Sequence, residues 1–198
     1  MGTGRLEAFS DGVLAIIITI MVLELHRPAD PTWAALGHAA TPLVIYLLSF
    51  VYVGIYWSNH HHMLQLCDRV SGGVLWANLH LLFWLSLFPF TTDWMGETDV
   101  ARVPVLVYGV NLLAAAIAYV VLQRAIIGLE GPESRLKKAI GQDAKGKLSP
   151  LLYVTGIAGT LVTPWIGMTL FTVVALIWLV PDRRLESFVA QLESSPDA

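Results

Sequence analysis

Charge is what this chain is shortest of. Asp, Glu, Lys and Arg make up 14% of its 198 residues, against 56% apolar. A soluble domain carries about 25% charge. Here the few charges bunch between long uncharged runs, which excludes an ordinary soluble globule and defines an all-α, polytopic membrane protein. The single cysteine, Cys67, excludes an internal disulfide, and no Cys/His spacing suits structural zinc. The net charge of −3 says little by itself. No internal repeat, phosphate loop or nucleophile–base set is visible, so an enzyme is not expected. No Arg-rich helix resembles a voltage sensor, and no TVGYG-like segment offers a carbonyl-lined ion filter. A cleavable signal is also missing: Glu7 and Asp11 stand where such a peptide is basic and then apolar, so the N-terminal segment is expected to stay in the mature chain.

What is present is organised around RLEAFSDGVLAIIITIMVLEL, residues 5–25. Its apolar core, Val13 to Leu23, is too short for a bilayer, which needs about 20 helical residues to cover ~30 Å. The helix must therefore carry Ser10 and Asp11 into or near the membrane, where an acid costs about 2.5–3.5 kcal/mol on insertion scales. The simplest solution is a central helix shielded by others and facing partly onto water. At about 100° per residue, Gly12, Ile16, Thr19, Ile20 and Leu23 share one narrow sector, with Ser10 and Asp11 well away from it. Periodicity alone fits ordinary packing as readily as a pathway lining.

Further along, spans are expected at about 42–66, 74–92 and 103–127. The third stops after Pro89-Phe90, leaving Asp93, Glu97 and Asp99 in an acidic loop. A charged connection follows, with a short surface helix over 132–140. From Leu148 to Pro181 no charge occurs; those 34 residues would make a helix of about 50 Å, too long for one crossing. Thr163-Pro164 divides them into spans at 148–163 and 165–181. The six spans form one transmembrane domain, 1–181, with a polar tail at 182–198 whose residues 182–192 suit a short amphipathic helix. Ten of the twelve Lys and Arg residues fall on one side of this layout; only Arg27 and Arg102 fall on the other. The positive-inside rule then places both termini in the cytoplasm. Glu24, Asp30, Asp93, Glu97 and Asp99 gather opposite, as an acidic rim or as merely solvated carboxylates.

Arg5-x-x-x-Phe9-Ser10-Asp11 resembles the RxxxFSD signature that opens the first helix of the transmembrane protein 175 potassium channels. Trp57, His60–His62, Asn78 and Pro89-Phe90 extend the resemblance over three helices, most closely to the prokaryotic members. It implies a homotetramer in the bacterial inner membrane, the first helix of each chain lining a central pore. It also implies Ile16 as the narrowest hydrophobic ring and Thr19 as a hydroxyl layer, with Ile20 and Leu23 continuing the constriction. A dehydrating ring admits potassium more cheaply than sodium but replaces none of the lost water, so selectivity should be weak. No cofactor is implied beyond the permeant potassium ion; the partners are further copies and membrane lipid, not nucleic acid.

Arg5, Phe9, Ser10 and Asp11 are then expected in a structural polar network with Trp57, His61, Asn78 and His80. A proton-coupled transporter using Asp11 and the histidines is the rival reading, and a non-conducting scaffold a third. The consecutive histidines diverge by about 100° each and should not share a metal ion.

Overall fold

In lipid a backbone must satisfy its own hydrogen bonds, so long uncharged runs curl into helices. The computed structural model describes residues 3–141 and 144–179, and all regular structure among them is helical. In chain order the helices are α1 (Thr3–Leu23), α2 (Trp33–His38), α3 (Ala40–Gln65), α4 (Gly72–Ser86), α5 (Phe88–Glu97), α6 (Arg102–Glu130), α7 (Arg135–Ile140), α8 (Ala144–Thr160) and α9 (Pro164–Leu179). By length and composition α1, α3, α4 with α5, and α6 can each cross a membrane; α9 is apolar but shorter. The tail at 182–198, with the amphipathic helix expected over 182–192, lies outside the described residues.

The third span departs from its expected end. Pro89 does not stop it. The chain breaks for one residue at Leu87, and Pro89 sits in the first turn of α5, where its missing N–H is not needed. Helix therefore continues to Glu97, placing Asp93 and Glu97 four residues apart on α5 instead of in a loop. The reversal into α6 follows at Asp99 and Val100, both at positive φ. Ser71 caps α4 by accepting from the Val74 N–H.

The core is a bundle in which α1 packs on α3, α4 and α5, while α6 packs on α4, α5, α8 and α9. Several of its buried polar groups are paired across helices, although the Asn111 amide of α6 has no described partner. Thr92 donates to Ser49 Oγ at 2.7 Å, Ser49 shares a hydrogen bond with the Tyr108 hydroxyl at 3.1 Å, and the Tyr52 hydroxyl donates to the Phe171 carbonyl. These bonds tie α3 to α5, α6 and α9.

Small residues set how closely the last helices approach. α8 and α9 form a hairpin turning at Thr163-Pro164. The fully buried Phe171 ring of α9 occupies the space above two glycines on different helices. A Cβ at Gly109 of α6 would stand 2.4 Å from that ring, and one at Gly156 of α8 2.6 Å from it. At Gly167 a Cβ would meet Thr160 Oγ1 at 2.0 Å, and that hydroxyl already donates to the Gly156 carbonyl. Such close backbone approach is how helices associate in lipid, where no hydrophobic force drives them together. Gly109→Val should accordingly destabilise the bundle by about 1–3 kcal/mol through overpacking. Thermal unfolding of the purified protein followed by tryptophan fluorescence measures this; an unchanged melting temperature would show that Phe171 moves aside freely.

Candidate functional site: a polar ladder behind an uncovered stripe

On α1 the residues at 6, 10, 14, 17 and 21 are buried. That 3.6-residue spacing fixes which face meets the bundle. The face includes Ser10, fully buried. Its hydroxyl donates to the Leu6 carbonyl one turn back at 2.8 Å and accepts from Asn78 Nδ2 of α4 at 2.9 Å. The Asn78 carbonyl oxygen lies 2.7 Å from His60 Nε2 of α3. Because that oxygen can only accept, His60 carries its proton on Nε2. Donation thus runs one way, from His60 through Asn78 and Ser10 to the α1 backbone, crossing three helices. Among the described residues His60 Nδ1 has no partner.

Beside this relay stands a two-rung ladder. Glu7 and Asp11 are four residues apart on α1; Trp57 and His61 are four apart on α3. The helices run oppositely, so each pair meets. Trp57 Nε1–H donates to Asp11 Oδ1 at 3.1 Å, and His61 Nδ1 lies 2.6 Å from Glu7 Oε1. The Trp57 and His61 rings stack at 6.4 Å between centroids. The ladder is half-buried, whereas the relay is sealed.

Ser10, Asp11, Trp57, His61 and Asn78 are thus brought together. Arg5, Phe9 and His80 stand outside. Arg5 and Phe9 are exposed, within about 40° of the Ile16 sector on α1, and no described hydrogen bond or ion pair involves the Arg5 side chain. His80 accepts from Trp84 Nε1 on its own helix at 3.0 Å; two residues beyond Asn78, it is turned about 160° from the buried side. Glu7 and His60 were missed. The matched four-residue spacings of Glu7/Asp11 and Trp57/His61, read in opposite directions, were the available signal for Glu7.

With its polar side held inward, α1 presents Gly12, Ile16, Thr19, Ile20 and Leu23 outward, Ile16 57% and Leu23 80% exposed. Thr19 turns its hydroxyl back to the Ile16 carbonyl at 2.9 Å.

Membrane-length apolar helices around a core with buried polar networks define a polytopic membrane protein. The family model for the endosomal/lysosomal potassium channel TMEM175 matches residues 5–89, covering α1, α3 and α4. A potassium channel of Chryseobacterium sp. (strain P1-3) is 53% identical over 94% of this chain and 97% of its own. One from Chamaesiphon minutus is 30% identical over 88% and 92%. The crystal structure of a lysosomal potassium-selective channel TMEM175 homolog from Chamaesiphon minutus superposes with a TM-score of 0.74 at 30% identity, covering 92% of this chain and 97% of that one. The chain belongs to the TMEM175 family, a family of ion channels and not of enzymes.

The relay predicts a specific energetic signature. Asn78→Leu leaves the buried His60 N–H without an acceptor and should cost about 1–3 kcal/mol. Replacing both ends with apolar groups, Asn78→Leu with His60→Phe, should cost less than the two single changes summed. Unfolding measurements on the four-member cycle read this coupling; strict additivity would mean that the two residues do not support one another.

Proposed function

We propose that this chain is one subunit of a homotetrameric, potassium-selective cation channel, six crossings per subunit, in a bacterial inner membrane with both termini in the cytoplasm. α8 and α9 supply the fifth and sixth crossings. Four copies of α1 surround the path, Ile16 forms its narrowest ring, and Thr19, Ile20 and Leu23 line it further along. The observation that carries this reading is the uncovered stripe on a helix whose other side is held in the bundle. A face of Ile and Leu can also be covered by lipid, and α3, α4 and α6 expose apolar side chains too; α1 is distinguished by the polar network near its N-terminal end, which sets its roll. The names of its relatives as potassium channels point the same way.

An aliphatic ring gates and selects by dehydration. Potassium gives up water more readily than sodium, and the ring returns no ligands to either. Selectivity should therefore be modest. Arg5 and Phe9, at the cytoplasmic end of the same sector, border the path's inner mouth instead of joining the network. Ser10, Asp11, Trp57, His61 and Asn78, with Glu7 and His60, set the roll of α1. Proton-coupled transport through Asp11 would need its carboxylate in the path; here it is turned towards Trp57.

The test is the reversal potential of purified protein in planar bilayers under bi-ionic potassium and sodium. Wild type should favour potassium. Ile16→Asn should enlarge unitary conductance and move the reversal potential towards zero discrimination. Unchanged currents in that variant would place the constriction elsewhere, and saturable, proton-dependent flux without unitary currents would favour a transporter.

A further inference from the structure

Beyond the polar ladder, at the opposite end of α1, three metal-ligating side chains from two segments converge. His26 lies three residues past the end of α1; Asp93 and Glu97 project from successive turns of α5. One ligand atom from each, an imidazole nitrogen and two carboxylate oxygens, lies within 4.8 Å of the other two. They open into a cleft of about 510 Å³ that Glu24, Arg27 and His38 also line. Among the described residues none of the three side chains makes a hydrogen bond or ion pair, so their ligand atoms are free to turn towards a common point. Asp93 is half-buried; His26 and Glu97 are exposed.

We propose that His26, Asp93 and Glu97 form a binding site for a divalent transition-metal ion of the zinc class, tying the outer end of α1 to α5. The imidazole decides the class. Carboxylates alone suit magnesium or calcium, whereas a nitrogen ligand favours zinc and its neighbours. Three protein ligands with water in the remaining position make an open tetrahedral site. Around zinc, ligand atoms about 2.0–2.1 Å from the metal stand about 3.3 Å apart. The present spacing closes to that with small rotamer changes, which the exposed His26 and Glu97 can make without disturbing packing. Glu24 adds negative charge and Arg27 opposes it; the two carboxylates of the site itself outweigh Arg27. Bound metal would brace the last turn of the helix that carries the bare stripe.

Zinc titrated by calorimetry into the tag-free full chain in lipid nanodiscs tests this directly, whether or not the chain conducts. One ion per chain should bind. His26→Ala and Glu97→Gln should each weaken binding by roughly tenfold or more, while Asp99→Asn and His62→Ala leave it unchanged. Zinc should raise the melting temperature of wild type but not of the two site variants, whose metal-free melting should match wild type because neither side chain is partnered. If one variant misfolds, the other carries the comparison. Absence of saturable zinc binding, binding unaltered in both site variants, or equal competition by calcium or magnesium would overturn the site.

Discussion

An acid and a hydroxyl inside an apolar helix have to be satisfied by neighbouring helices, and that requirement fixes how α1 sits. Ser10 and Asp11 cannot be left facing hydrocarbon. Asn78 answers the first and Trp57 the second, from two different helices, so α1 is held in translation and in roll together. With the roll fixed, the position of every other α1 side chain follows from helical geometry. Leu6, Leu14, Ile17 and Met21 go inward, and Ile16, Thr19, Ile20 and Leu23 go out. A single hydrogen bond between membrane helices contributes only about 0.6 kcal/mol on average. The network acts through specificity: its apolar equivalent would hold the helices together but would not select one rotation over another.

The two polar layers have different characters. The His60–Asn78–Ser10 relay is buried from solvent, and each group's donors and acceptors run in one direction, so any break strands a buried N–H. The Glu7–His61 and Asp11–Trp57 rungs are half-buried and flank the relay, the first nearer the end of the bundle and the second slightly deeper. Rigidity therefore concentrates at the relay. Further along α1, support passes to packing on α5 and to the Met21–Thr92 contact, beside the second buried cluster of Ser49, Thr92 and Tyr108. The bundle is pinned at two levels, and the bare stripe spans the length between them.

Much of this was legible because it followed from costs that sequence alone exposes. An Asp within an otherwise apolar helix announces a need for partners, and Trp57 and Asn78 are polar groups on adjacent helices at matching depth. Thr163-Pro164 divided the last uncharged run because a residue before proline leaves the helical region, and α8 and α9 do meet there. What stayed hidden depended on rotation or on contacts distant in sequence. His60, His61 and His62 are indistinguishable until the roll of α3 is known; the structure sends His60 to Asn78 and His61 to Glu7. His80 looked equivalent to Asn78 in depth but lies on the far side of α4. A proline suggests a stop yet is equally at home in a helix's first turn, as Pro89 is in α5, so the Asp93–Glu97 face has no plain signature in the sequence. The seating of Phe171 over Gly109 and Gly156 left no local signal at all.

The central claim is that the outward stripe of α1 faces water and other copies of itself, not lipid. Single cysteines introduced along α1 in a Cys67→Ser background, probed with a membrane-impermeant thiol reagent during current recording, test it most directly. The account predicts that Ile16→Cys, Thr19→Cys and Leu23→Cys channels lose current on modification, whereas Leu14→Cys and Ile17→Cys channels do not. Modification that blocks only the Leu14 and Ile17 variants, or leaves all the stripe variants conducting as before, would contradict it.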